Sequence, residues 1–263
     1  MFLNTVPLWI SATIVVGVPT LLAMIGPSIV RRLVRLDTLS VNNEVAGFKF
    51  ATVGVLYAVL LAFAVILVWE HFSGAEASVT REGGAAATIY RLIDGIEGES
   101  RQTLHANLTT YLETAVREEW PAMEKGRESA AVSKALDSLY AAALSYHPAE
   151  PRGVALLQSI LLQLDQITEA RRARLLKATG IVPGIVWVVL CMGAVITIGF
   201  TFFFGTRNIR AQSLMTGGLA LLVTSALLIV VAIDHPFSGT VKVGPEALVD
   251  VLQDFSHAVP NAR

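Results

Sequence analysis

The stretch FATVGVLYAVLLAFAVILVW, residues 50–69, decides the fold. It carries no charge, and Lys49 and Glu70 bound it. A helix needs about 20 mostly apolar residues to cross the hydrocarbon of a bilayer. No water reaches the backbone there, so each amide must bond within its own segment and the run must be helical. Three further stretches read the same way, roughly Val6–Val30, Ile181–Gly205 and Leu214–Ile233. Arg31, Arg32 and Arg35 follow the first, Lys177 and Arg207 flank the third, and Arg210 and Asp234 flank the fourth. Trp9, Trp69 and Trp187 fall near span ends, where indole rings favour the interface. The first run does not read as a cleaved signal: no basic segment precedes it, it is too long, and arginines follow directly. Pro19 predicts a kink in it.

Composition agrees. The chain of 263 residues is 54% hydrophobic and only 16% charged, with a mean hydropathy of +0.60, against about 25% charged residues in soluble domains. The net charge of -1 gives no field that favours nucleic acid. Cys191 is the single cysteine, so an intrachain disulfide and a thiolate cluster are excluded. The histidines show no ligand spacing, and no cofactor is expected.

Between Glu70 and Thr179 the chain is polar but periodic. Ile89, Leu92, Ile93 and Ile96 form one helical stripe, and Leu104, Leu108, Tyr111, Leu112 and Val116 a second. Val132, Leu136, Leu139, Tyr140 and Leu144 form a third, and Leu157, Ile160, Leu161, Leu164 and Ile167 a fourth. Breaks fall at Pro121, Gly126, Pro148 and Pro151. The predicted fold is an all-α membrane protein with four transmembrane helices and a soluble helical domain inserted between the second and third. Its expected divisions are residues 1–69, 70–180, 181–233, and a tail, 234–263, with an amphipathic helix over Glu246–Phe255. The domain's first helix is expected to continue from the second span, and its last to run directly into the third.

Several residues invite a functional reading beside a plain one. Asn42, Asn43, Glu44, Lys49 and Thr52 lie where the second span begins. Polar groups entering a membrane helix often mark a pathway, and a ring of them could select ions. Equally, the asparagines suit a helix cap, and Lys49 could snorkel to headgroups. Val55, Leu56 and Val59 would then form an apolar constriction. Glu118 and Glu119 precede Trp120 and Pro121; adjacent carboxylates diverge on a helix, so a helix end with Trp120 in the core competes with a subunit contact. Asp234 and His235, at the exit of the fourth span, read as a pH sensor or as local hydrogen bonding. Arg171, Arg172, Arg174 and Lys177 read as an anionic-lipid patch, a topology signal or a solvated face. Thr216, Ala220 and Thr224 allow close helix approach, within one subunit or between two. Gly83 and Gly84 lack a phosphate-binding context, and no catalytic motif is present, so an enzyme is not expected.

Four stretches together resemble a known family. They are NNEVAGFKFATVGVLYAVLLAFAVILVWEHF (42–72), EEWPAMEKG (118–126), IVPGIVWVVLCMGAVITIGFTFFFG (181–205) and DHPFSG (234–239). The chain is similar, over nearly its whole length, to the bacterial bestrophin-like membrane proteins, a family of unknown function. Asn42 departs from the histidine more often carried there. The resemblance implies the layout of bestrophins, which are pentameric chloride channels with the second span lining the pore and a cytoplasmic helical domain. Charge alone reads differently. Arg31, Arg32, Arg35, Lys49, Arg207 and Arg210 on one side tie in number with Arg81, Arg171, Arg172, Arg174, Lys177 and Lys242 on the other, but the first set crowds two short loops, which favours those loops in the cytoplasm and the helical domain outside a bacterial inner membrane. The functional expectation is an oligomeric ion channel in the lipid bilayer, anion-selective if the resemblance carries, with inorganic ions and further copies of itself as partners. The alternative is a membrane-anchored sensor or scaffold whose helical domain binds a partner.

Overall fold

The structure is a computed structural model that describes residues 7–41 and 43–258. It is built of helices, with no strand among the described residues. Four helices are long and apolar enough to cross a membrane: α1 (Leu8–Leu33), α3 (Asn43–Ile93), α8 (Gly184–Phe203, its last turn 3-10) and α9 (Ile209–Ile233). Between them lie α2 (Leu36–Val41), α4 (Glu99–Thr114), α5 (Trp120–Met123), α6 (Ala130–Ser145) and α7 (Pro151–Leu176), and α10 (Glu246–Ala258) follows. The chain divides into two compact units. One holds the residues up to His71, with Gly180–His235 and Gly239–Val241; the other holds Phe72–Thr179, Pro236–Ser238 and Lys242 onward.

In the first unit, α1 packs against α9. Thr216, Ala220 and Thr224 are buried along that helix, and Gly217 sits against Met24. The small-residue stripe is therefore used inside the chain, because two backbones can approach closely only where side chains are short. On α3 the packed face carries Tyr57, Leu61, Ala64 and Val68, all buried. Tyr57 Oη donates to the Leu190 carbonyl at 3.2 Å, and its ring lies over Gly193, where any Cβ would collide with it.

Prolines widen two helices. Thr13–Gly17 and Ala115–Glu119 are π turns, and Pro19 and Pro121 each follow two residues later. Proline has no N–H, and its ring crowds the carbonyl four residues back, here Val15 and Arg117. A wider turn draws that carbonyl aside, and the helix continues. The kink expected at Pro19 takes this form.

In the second unit α3 continues unbroken to Ile93, as expected. Ile89, Ile93, Leu104, Leu108, Tyr111, Leu112, Leu139, Ile160, Leu164 and Ile167 make one buried core. Gly126, at φ +65°, closes the turn after α5 in a conformation that favours glycine. The tail joins this unit: Leu248, Val251 and Phe255 of α10 are buried, and Phe255 stacks on Tyr90 at 3.7 Å between centroids. Gly83 has a packing role, since a Cβ there would meet the Ala247 carbonyl oxygen at 2.8 Å.

One expectation fails. The last helix of the domain does not run into the third span: α7 ends at Leu176 and α8 begins at Gly184. Pro183 pushes the preceding residue out of helical geometry. Gly180 meanwhile lies so close to Asp234 and His235 that a Cβ would stand 2.5 Å from the imidazole.

Gly193→Ala should lower the thermal unfolding midpoint in detergent, by the equivalent of about 1–3 kcal/mol from overpacking against Tyr57. An unchanged midpoint would show that the α3–α8 contact is looser than described.

Candidate functional site

Asn42 lies outside the described residues. Asn43 does not sit with the other second-span candidates. Its side chain is spent on one residue: Nδ2 donates to the Gly205 carbonyl at 2.8 Å, and Oδ1 accepts from the Gly205 N–H at 2.9 Å. This fixes the loop between α8 and α9 against the start of α3. Beside it, Arg31 donates to the Thr206 carbonyl and to Gln212 Oε1 at 3.0 Å, while Gln212 Nε2 donates to the Phe204 carbonyl at 2.6 Å. These bonds satisfy the loop's backbone where the apolar spans end.

The rest of the candidates lie on the other side of α3. At 100° per residue, Phe48, Thr52, Val55 and Val59 share a face opposite Tyr57, Leu61, Ala64 and Val68. That face is unpacked: Phe48 is 79% exposed, Val55 64% and Val59 49%. Leu56 stands at its edge, exposed, and Thr52 turns its hydroxyl onto the Phe48 carbonyl at 3.2 Å. Glu44 is exposed at the first turn. Lys49 is exposed and borders a groove with Thr38, Leu39, Val45, Phe200 and Phe203.

The helical unit holds a constellation that the sequence did not reveal. Arg174, fully buried, donates from Nε to Glu82 Oε2 at 2.8 Å and from one terminal nitrogen to Glu82 Oε1 at 3.0 Å and Glu119 Oε2 at 2.8 Å. Arg171 reaches Glu119 Oε1 at 2.5 Å and Ser133 Oγ at 3.1 Å. Tyr111 Oη donates to Glu82 Oε1 at 2.7 Å. The Arg174 guanidinium lies 4.5 Å over Trp120, whose indole N–H donates to the Val243 carbonyl at 3.2 Å. Burial alone would lower the Arg174 pKa, but Glu82 and Glu119 raise it above the ordinary value. Burial, followed by the Glu82 charge, holds the Tyr111 phenol well above its usual range.

One expectation is corrected here, and the divergence expected of Glu118 and Glu119 is seen. Arg171 and Arg174 do not form a lipid-binding or solvated patch, because they face inward; Arg172 alone of the three is exposed. Glu119 is buried and paired while Glu118 is exposed. Tyr111, Ala115 and Glu119 recur at four-residue spacing, so Glu119 continues the buried stripe of α4 into the π turn. The signal was an acidic residue two before a proline, with arginines three apart on a distant helix. Both carboxylates receive donors from distant helices, so the arrangement acts as a clamp between them.

At the exit of α9, Asp234 is buried and accepts from the amides of Ile181 at 3.1 Å and Val182 at 3.0 Å through Oδ1. His235 Nδ1 lies 3.2 Å from Oδ2. Burial raises this carboxyl, but the His235 hydrogen bond and the two amides outweigh it, and the pKa falls below the ordinary 3.8. Among the described residues, no group of three or more His, Cys, Asp or Glu side chains could hold a metal ion.

The sequence matches the bestrophin-like domain over residues 17–248. The chain belongs to the bestrophin-like family. Among solved structures it is similar to a bacterial bestrophin homologue from Klebsiella pneumoniae, crystallised as a point mutant, with TM-score 0.70 and 14% identity over 90% of this chain and 97% of that one. A second crystal structure, of a membrane protein point mutant, gives TM-score 0.65 and 13% identity over 89% and 97%. No curated protein sequence matches the chain. At these identities the shared property is the fold: four membrane helices and a helical unit.

Glu119→Gln should cost about 3–5 kcal/mol of stability by leaving buried arginine charge short of a partner. Glu118→Gln, on the exposed side, should stay within about 0.5 kcal/mol. Chemical denaturation of both variants checks the contrast, and equal losses would deny the clamp. The lowered Asp234 pKa means that its contribution is present above pH 3.8 and is lost as pH falls through the lower folded value. Asp234→Asn should therefore flatten the acid limb of a plot of melting temperature against pH.

Proposed function

We propose that this protein is an oligomeric ion channel that conducts anions, with the face of α3 from Thr52 to Val59 lining the pore. The supporting observation is the asymmetry of that helix within a bestrophin-like chain. One side is locked by Tyr57, Leu61, Ala64 and Val68; on the other, Thr52, Val55 and Val59 are exposed. In a ring of subunits such a face would surround an axis, and rings of valine form a constriction that gates by dewetting. Leu56 would sit at the wall between neighbouring subunits. Asn43 is left out of the lining because Gly205 holds it, and Lys49 because it borders the groove beside Phe200 and Phe203. Glu44, exposed at the mouth, is the residue whose charge would oppose anion entry.

The test is halide efflux from liposomes that contain the purified protein. The expected result is chloride efflux above that of empty liposomes, raised several-fold by Val59→Thr, since a hydroxyl keeps a narrow ring wet. Leu61→Thr, on the packed side, should not raise it. Absence of efflux from well-folded protein would reject the channel and favour a sensor or scaffold whose helical unit binds a partner.

A further inference from the structure

The groove beside Lys49 has a shape and a charge that the pore does not need. It encloses about 430 Å³. Leu39, Val45, Phe200 and Phe203 make its walls, Thr38 and Lys49 its polar rim. Lys49 forms no hydrogen bond or ion pair with a described residue. It stands at the boundary between the uncharged run of α3 and the loops. The same end of this unit carries Arg31, Arg32, Arg35, Lys49, Arg207 and Arg210 against only Asp37 and Glu44. Arg31 is committed to Thr206 and Gln212, and Asp37 lies 4.0 Å from Arg35, so the unspent charge is positive. Among these cations large apolar side chains stand in the open: Leu33 and Val41 are each 81% exposed. Cations beside exposed apolar groups at the end of a span match the headgroup boundary of a bilayer.

We infer that this groove binds an anionic glycerophospholipid, with the phosphate at Lys49 Nζ and Thr38 Oγ1 and an acyl chain between Leu39, Val45, Phe200 and Phe203. Basic pockets between membrane helices hold such headgroups, and a lysine reaches them by extending its aliphatic stem along the apolar wall. The walls are aliphatic and aromatic, so a free anion would leave most of the groove unfilled. The inference does not depend on conduction.

The experiment is native mass spectrometry of the delipidated protein in neutral detergent. Phosphatidylglycerol, phosphatidylcholine with the same acyl chains, and glycerol phosphate are each added. The expected result is one phosphatidylglycerol per chain, held about fivefold more tightly than phosphatidylcholine, the size expected of one cation near an anionic headgroup. Lys49→Gln should abolish that preference and Lys49→Arg should keep it, while Arg152→Gln, at an exposed site of the other unit, should leave it unchanged. Equal binding of the two lipids, or a preference that survives Lys49→Gln, overturns the assignment. So does displacement of the lipid by glycerol phosphate, which would make this a site for soluble anions. Failure of both lipids to bind the folded protein also overturns it.

Discussion

Polar groups that leave water must meet a partner, and this constraint organises both units. In hydrocarbon the backbone satisfies itself, which makes the spans helical. Where the spans end, side chains take over: Asn43 on Gly205, Arg31 and Gln212 on the loop from Phe204 to Thr206, Asp234 on Ile181 and Val182. In the helical unit the same requirement gathers Arg171, Arg174, Glu82, Glu119 and Tyr111. The buried arginines and glutamates balance in charge. Such a cluster contributes little net stability compared with apolar residues, yet losing one member is costly, and it restricts the packing the helices can adopt.

Much of the architecture was legible in the residues. Uncharged runs of spanning length leave one option, and the apolar stripes from Ile89 to Ile167 became the core of the helical unit. The amphipathic helix of the tail was equally plain, and Leu248, Val251 and Phe255 are the residues it buries. What the sequence reading missed was the pairing of charged side chains. Glu119 follows Tyr111 and Ala115, and Arg171 and Arg174 follow Ile160, Leu164 and Ile167, at helical spacing on the buried faces, but the partners lie on distant helices. The break between α7 and α8 was also missed: Gly180 and Pro183 signalled it, but the basic run Arg171–Lys177 read as the end of a continuing helix.

The candidate site was legible only in part. The sequence put Asn43, Lys49, Thr52, Val55, Leu56 and Val59 in one region. The structure separates them by face: Asn43 toward Gly205, Lys49 toward its groove, and Thr52, Val55 and Val59 away from the packed side of α3. Small polar residues at the start of a membrane helix serve caps, loops and pathways alike, and only their partners distinguish these roles. Asn43 shows the difficulty. An amide that reads as a selectivity group is held by one donated and one accepted bond to a glycine.

The central claim, a pore on the unpacked face of α3, is tested most directly by current through reconstituted protein with single cysteines on a Cys191→Ser background. Val59→Cys and Leu61→Cys are each treated with a charged methanethiosulfonate reagent. The account predicts that the reagent changes the current of Val59→Cys within seconds and leaves Leu61→Cys unaffected, since Leu61 is packed against its own chain. Modification of Leu61→Cys alone, or of neither in a conducting protein, would contradict it and move the pore to another helix.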